Sequence, residues 1–512
     1  MREERLFVAG RGRGWRDARR ALARAFSLAP EPGARDLRTY HDTFDWRFYR
    51  AGLQLETSDA RVALRDATTA EVLASGSWRG PAGVRYARDL VPPALRDRVA
   101  ALAGPRALFE VARARVTVDE AAARDERGRQ VARLRSETMI VRRSGAARTV
   151  RVLFVEIAKE RTRLETRASI RRALGSAGYR PSSGSAYGRL LSAAGRRPDD
   201  DAPRPRVEIS PQAPLGASMA AILRHLLDVM ARNESGLVRD LDPEFLHDYR
   251  VALRRTRTAL AEFRGVFTAE EARAFRSRFA ALSGPTGRVR DVDVHLGRRA
   301  EYAAWVPAPF RKGFAPLFAS LEREREARRA GLLTLLASPE YAALKRDWKR
   351  ALAALASGSR AGVAAGEPAL PAARAAVAKR YARLRAIAEA LEDLDDAALH
   401  RARVQSKRLR YVLEFFTHPL GGAVLPAIAA VESLQDALGA YHDAGVFQSL
   451  LGEEAHRSSS ISRDAVVHGA VIGALTARLD VRKAKARRRA VRRLDALVDR
   501  KGERMFRRLA ES

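Results

Sequence analysis

The sequence of 512 residues contains no cysteine. Disulfides, thiolate nucleophiles and cysteine-based metal sites are therefore excluded. No uninterrupted apolar run approaches the roughly 18 residues that a membrane-spanning helix needs, so no such span is expected. The opening residues, MREERLFVAGRGRGWRD, are charged and have no apolar centre, so they do not read as a secretory signal. By elimination a soluble, cytoplasmic protein is expected. Acidic residues are also in short supply. Against 95 Lys and Arg stand 61 Asp and Glu, leaving a formal net charge of +34. That much charge of one sign opposes compaction and demands an anionic partner. Nucleic acid, an acidic membrane surface and polyphosphate all qualify.

What is present is a repeated pattern. The stretch HDYRVALRRTRTALAEFRGVF runs from His247 to Phe267, and HRARVQSKRLRYVLEFF starts 153 residues later at His400. His247, Arg250, Arg254, Arg255 and Arg257 fall on His400, Arg403, Lys407, Arg408 and Arg410. On a helix turning about 100° per residue, offsets 0, +3, +7 and +10 share one face. Two cationic stripes are thus expected, His247–Arg250–Arg254–Arg257 and His400–Arg403–Lys407–Arg410. Val251, Leu253, Leu260 and Phe263, with Val404, Leu409, Val412 and Phe416 in the copy, supply apolar surface for packing. A second matched feature follows each stripe: Gly287-Arg288-Val289-Arg290-Asp291-Val292-Asp293 and Leu438-Gly439-Ala440-Tyr441-His442-Asp443. Asp291 lies 44 residues past His247, and Asp443 lies 43 past His400. Matched motifs in one order at nearly one offset indicate an internal duplication.

These residues resemble the CHAD domain, the conserved histidine α-helical domain, over roughly residues 208–510. The resemblance implies two helical-bundle repeats related by a pseudo-twofold axis, each presenting a basic histidine-bearing helix. It also implies binding of inorganic polyphosphate and association with polyphosphate granules.

The first 200 residues read differently. Short apolar runs at Leu6–Ala9, Leu53–Leu55, Arg61–Leu64, Val111–Val118, Val131–Leu134, Thr138–Val141 and Val150–Ile157 are separated by turn residues. Ala112-Arg113-Ala114-Arg115-Val116-Thr117-Val118 has the strand period of two. Helices are expected near Trp15–Phe26 and Arg163–Ala177. Tyr40-His41-Asp42-Thr43-Phe44-Asp45 with Ala51-Gly52-Leu53, Glu4-Arg5-Leu6-Phe7, Phe154-Val155-Glu156-Ile157 and Ser185-Ala186-Tyr187 resemble a CYTH domain. The resemblance covers about residues 2–195 and implies an antiparallel β-tunnel that holds triphosphate on basic side chains and Mg²⁺ or Mn²⁺ on carboxylates. The departures are specific. Arg2 and Leu6 stand where the family has Glu and Lys. Leu53-Gln54-Leu55-Glu56 replaces its L-R-x-R, and Ala186 replaces its late Lys. Most phosphate-holding cations are missing, which suits a docking or structural module that lost its site. Arg61, Arg65, Arg113 and Arg115 are candidate substitutes, as are Glu56, Glu110 and Glu156 for metal. Glu4 and Glu156 are the metal-ligand candidates retained.

The expected architecture is α+β: a degenerate CYTH-like domain over 1–195, a Pro- and charge-rich linker over 196–207, and an all-α domain over 208–512. The repeats of the latter span about 208–356 and 372–510. Helices are expected at Leu215–Ala231, after Asp242-Pro243-Glu244, at Ala269–Leu282, Phe310–Leu336 and Tyr341–Ala356, and over 423–438 and 441–452. Gly284-Pro285-Thr286-Gly287 reads as a break. The last helix is very basic, with eight Lys or Arg between Arg482 and Arg493.

A stripe of like charges repels itself unless an anion covers it. The ten stripe-bearing positions, His247, Arg250, Arg254, Arg255, Arg257, His400, Arg403, Lys407, Arg408 and Arg410, are the expected polyphosphate contacts. For the two histidines the competing reading is packing at a helix end. Arg290, Asp291, Asp293 and Asp443 are expected to support them through ion pairs or caps. No catalytic residue and no required cofactor is assigned, with Mg²⁺ or Mn²⁺ relevant only to an active tunnel. Two alternatives stay open: a metal-dependent triphosphate or polyphosphate hydrolase, and a nucleic-acid binder, although no nucleic-acid motif is evident.

Overall fold

The computed structural model describes residues 3–79, 83–158, 163–198, 207–359, 361–390, 395–457 and 463–511. The chain divides into two compact units, Met1–Ala202 and Pro203–Ser512. Most of the Pro-rich linker lies outside the described residues. No helix among the described residues is long and apolar enough to cross a membrane.

The first unit is an antiparallel sheet of ten strands, as its alternating runs predict. The strands are β1 (Glu3–Ala9), β2 (Ser27–Thr43), β3 (Leu53–Ser58), β4 (Arg61–Asp66), β5 (Val72–Trp78), β6 (Leu90–Val91), β7 (Leu108–Arg124), β8 (Gln130–Arg143), β9 (Ala146–Ile157) and β10 (Tyr179–Ser182), in the order β10-β1-β9-β8-β7-β2-β3-β4-β5-β6. Helices α1 (Trp15–Leu22), α2 (Arg47–Arg50), α3 (Pro93–Ala103), α4 (Arg163–Ser176) and α5 (Ala186–Ala193) complete it. The longest departure from the sequence reading is β2. Pro30, Pro32 and Gly33 hide its strand period, yet it pairs with β7 along most of its length. The register shifts between Glu31 and Ala34, so a bulge accommodates Pro32 and Gly33. Any Cβ at Gly33 would lie 2.3 Å from the Val118 carbonyl oxygen. On β7, Ala112, Ala114, Val116 and Val118 are buried. They pack with Tyr40, Met139, Val152 and, from α5, Tyr187, Leu190 and Leu191.

The second unit is helical: α6 (Leu215–Val238), α7 (Pro243–Glu262), α8 (Ala269–Leu296), α9 (Arg299–Ala303), α10 (Phe314–Leu336), α11 (Pro339–Ser357), α12 (Ala369–Glu389), α13 (Asp396–Phe415), α14 (Thr417–Leu420), α15 (Val424–Arg457), α16 (Arg463–Val498) and α17 (Arg500–Glu511). The duplication is visible in its geometry. Leu215 N donates to the Glu367 carbonyl and Ala369 N to the Ala213 carbonyl, so α6 and α12 start against each other reciprocally. Phe263 and Phe416, at equivalent positions of the two copies, touch with ring centroids 5.3 Å apart.

Two expected breaks are absent. The helix α8 runs through Gly284-Pro285-Thr286-Gly287 without interruption. Proline removes one helical donor there. That leaves the Ala281 carbonyl without its usual helical donor, while the Thr286 hydroxyl donates to the neighbouring Leu282 carbonyl at 2.7 Å. Residues 423–438 and 441–452 are not two helices but parts of α15, whose buried Leu438, Tyr441 and Ala444 continue one packed face through Gly439. In the other direction, the helix expected from Phe310 starts only at Phe314, after a 3₁₀ turn over Ala308–Gly313.

Candidate functional site

The helices α7 and α13 are capped as their sequences predict. Asp242 accepts from Glu244 N at 2.9 Å with Pro243 behind it, and Asp395 accepts from Ala398 N at 2.6 Å. These caps fix the register of both stripes. One turn later come His247, partly buried, and His400, exposed. The His400 ring lies 6.4 Å from that of His442 on α15.

The ten expected contacts separate into two groups. Arg255 and Arg408 hold the two copies together. Arg255 is buried and donates to Glu414 of α13 at 2.5 Å. Arg408 lies 4.0 Å from Glu262 of α7, which Arg380 of α12 also binds. Removing one member of such a pair leaves an uncompensated buried charge. Arg255 therefore does not line an open surface. Arg410 lies 3.6 Å from both Glu414 and Glu432.

The other cations face each other. Burial, then Arg254, pulls Arg250 down to about 10. Burial and then Arg254 lower Arg403. Burial, then Arg254, Arg403 and Arg410, bring Lys407 down to about 6. Burial and then Arg408 lower Arg257, which donates to Ser283 of α8 at 2.6 Å. Arg254 donates to the Tyr411 hydroxyl at 2.6 Å. Burial pushes that phenol up, but Arg254, Arg255 and Arg410 pull it below its ordinary value. The stripes of α7 and α13 thus converge on one groove, where cation meets cation. Buried donor atoms of Arg250 (Nη1), Arg403 (Nε) and Arg410 (Nε) have no hydrogen-bond partner. A buried unpaired donor is destabilising. It becomes favourable once an anion supplies acceptors.

The motif aspartates have different roles. Asp291 faces the groove. Burial raises it, against Arg250 and Arg328, with Asp443 adding to the rise. Asp443 lies 3.8 Å from Arg298. Asp293 instead binds Arg325 of α10 at 2.6 Å, and Arg290 reaches back to the Pro243 carbonyl at 3.1 Å and Glu244 at 3.2 Å. Both brace the frame around the groove. Gly287 lets Arg250 lie against α8, since a Cβ there would meet Arg250 Nη1 at 2.8 Å. Tyr411, Arg328 and His442 were not among the expected site residues. Tyr411 directly follows the second stripe in sequence.

The interior of the first unit is organised in the opposite way. Arg38 of β2 is buried and faces Asp36 at 3.3 Å, Glu137 at 3.6 Å and Glu56 at 3.8 Å. Burial pulls its pKa down, but Glu56 and Glu137 outweigh burial and hold it above the ordinary value. Arg65 binds Glu56 at 2.6 Å and Arg135 binds Glu137 at 2.6 Å. Every one of these cations has a carboxylate, and every one of these carboxylates has an arginine. Of the candidate substitutes, Arg113 and Arg115 lie on the opposite, exposed face, with Arg113 paired to Glu110 at 2.6 Å. Glu56 is committed to arginine, and Glu156 sits beside the exposed Arg133 in a cavity also lined by Glu31. The backbone of Glu4 pairs with that of Glu156, and the Glu4 side chain lies outside the described residues. Among the described residues no cluster of three or more His, Asp or Glu could hold a metal ion.

Residues 221–452 match the family model of the CHAD domain. No curated protein matches the chain. Among solved structures, the CHAD domain from Ricinus communis is 27% identical, covering 57% of this chain and 96% of its own, with a TM-score of 0.48. PptA from Streptomyces chartreusis is 20% identical over 55% of this chain and 99% of its own, at 0.44. HpAC1 from Hippeastrum, described with a dominant triphosphatase activity, is 14% identical over 38% of this chain and 97% of its own, at 0.23.

Proposed function

From the CHAD domain at residues 221–452, we propose that this protein binds inorganic polyphosphate in the groove between α7 and α13. The observation that carries the reading is the pair of buried guanidinium donors on Arg250 and Arg403 without a hydrogen-bond partner, in a site where cation faces cation. Polyphosphate offers a continuous row of anionic oxygens and no bases. Guanidinium groups bind such oxygens bidentately, with Arg254, Arg257 and Lys407 adding charge. The linkage of CHAD domains to polyphosphate supports the same reading, under which the protein would associate with polyphosphate granules in the cytoplasm. Binding needs no cofactor.

The ion-paired interior of the first unit favours a structural role over triphosphate hydrolysis, because Arg38, Arg65 and Arg135 are bound to Glu56 and Glu137 there.

Titration of defined-length polyphosphate across a salt series tests the reading. An Arg254/Arg257/Lys407/Arg410→Ala variant should lose about 100-fold or more in affinity at low salt. Log affinity should fall linearly with log salt as counterions are released. Phosphate release, followed in the same tubes with Mg²⁺ or Mn²⁺, should stay at the buffer level. Unchanged binding by the variant, or duplex DNA displacing polyphosphate at equal charge, would sink the proposal.

A further inference from the structure

The basic run of α16 contains a third stripe. Arg482, Lys485, Arg489 and Arg492 stand at offsets 0, +3, +7 and +10, the spacing of the two stripes in the groove. All four are exposed, while Leu479, Ala486, Ala490 and Leu494 pack inward. The helix lies outside the residues that match the family model. Arg482 pairs with Glu301 at 2.6 Å and sits over the Trp305 ring. Lys485, Arg489 and Arg492 make no ion pair with any described residue. Arg482, Lys485 and Arg489, with Arg298, line a cavity of about 370 Å³ between α9, α15 and α16. Glu301 is the one carboxylate of its lining.

This cavity and the groove share one turn of α15. Ala440 and Ala444 line the cavity, and their small side chains keep it open. Between them in sequence, His442 and Asp443 face the groove cations Arg403 and Lys407. Arg298 spans the two, lining the cavity while lying 3.8 Å from Asp443. The start of α13 is joined to α16 as well. Asp396, one turn before His400, binds Tyr441 and also Lys483 of α16, the latter at 3.1 Å.

We propose that the α16 stripe is the second segment of a single phosphate track, which leaves the groove at His400, passes Arg298 and runs along Arg482, Lys485, Arg489 and Arg492. This rests on the polyphosphate reading of the groove and adds a consequence to it. A short chain fills the groove alone, whereas a long chain occupies both segments, so the protein selects for chain length. A stripe of four residues at these offsets extends about 15 Å along a helix, so the second segment roughly doubles the track.

The test compares inorganic tripolyphosphate with long-chain polyphosphate at low salt. The full-length protein is used with a Lys485→Ala/Arg489→Ala/Arg492→Ala variant, whose changes are all on exposed positions. Long-chain affinity should fall about tenfold or more, and the salt slope should drop by about two to three. Tripolyphosphate affinity should stay as in wild type. An Arg273→Ala/Arg346→Ala/Lys349→Ala variant removes the same charge from exposed positions on α8 and α11. It should change long-chain affinity by less than about threefold. Equal long-chain binding by wild type and the α16 variant would overturn the track. So would equal losses for both ligands, which would make the stripe a diffuse field, or a loss confined to single-stranded DNA. Absence of any polyphosphate binding by wild type would instead bring down the groove reading on which the track depends.

Discussion

Two arginine-rich interiors in this chain are built on opposite rules. In the first unit, Arg38, Arg65 and Arg135 sit among Asp36, Glu56 and Glu137, and the charges close on themselves. In the second, Arg250, Arg254, Arg403 and Lys407 crowd one another, and buried donors are left unmatched. Arginine count alone does not distinguish the two. The location of the counter-charge does: supplied inside the fold it makes a brace, and where the fold withholds it the cations are left for the anion proposed above. The shifts agree, with Arg38 held above its ordinary value and Arg250 pulled below.

The comparison breaks most visibly if arginine removal has the same effect in both places. Arg38→Met leaves Glu56 to Arg65 alone and Glu137 to Arg135 alone, and denaturant unfolding of the first unit should lose about 1–3 kcal/mol. Polyphosphate affinity should be unchanged. Arg403→Met should behave in reverse: unfolding stability unchanged or up to about 1 kcal/mol higher, with affinity down about tenfold or more in the same preparation. A destabilised Arg403→Met protein would mean that the groove cations are braces too.

A pH series sharpens the contrast. Burial, then Arg254, brings Lys407 down to about 6, against an ordinary 10.5. Below about pH 6 the lysine is charged in folded and unfolded chains alike, and its burial destabilises in full. Between there and about 10.5 the unfolded chain keeps a proton that the folded one has released, so stability recovers as pH rises. Ligand affinity runs the other way. A bound anion restores the proton, so affinity should be flat below about pH 6 and fall above it, by at most about tenfold per pH unit. Calorimetry in buffers of different ionisation enthalpy would register the proton uptake. Lys407→Arg should flatten the profile.

The smallest expected effect concerns Gly287. Gly287→Ala brings a Cβ to 2.8 Å from Arg250 Nη1, and the flexible arginine gives way. Affinity should fall about threefold with little change in melting temperature, because one charge-assisted contact is displaced and no core is opened.

Much of this molecule is written in local pattern. The duplication, the two stripes, and the caps at Asp242 and Asp395 follow from residue spacing, because a helix face is set by rotation per residue and a cap by its own side chain. The strand period of Ala112–Val118 is borne out too, but the pattern does not say which face lines the interior, and the candidate substitutes Arg113 and Arg115 lie on the exposed one. Other features depend on partners distant in sequence. Rotation per residue takes Arg255 off the stripe that carries Arg254, but the partner it meets there, Glu414, lies 159 residues away. Pro285 reads as a helix breaker, yet α8 continues through it. The composition of the chain required an anion somewhere. Which arginines are left for that anion was settled by folding, because a carboxylate neutralises a cation only when the backbone brings the two within a few ångströms.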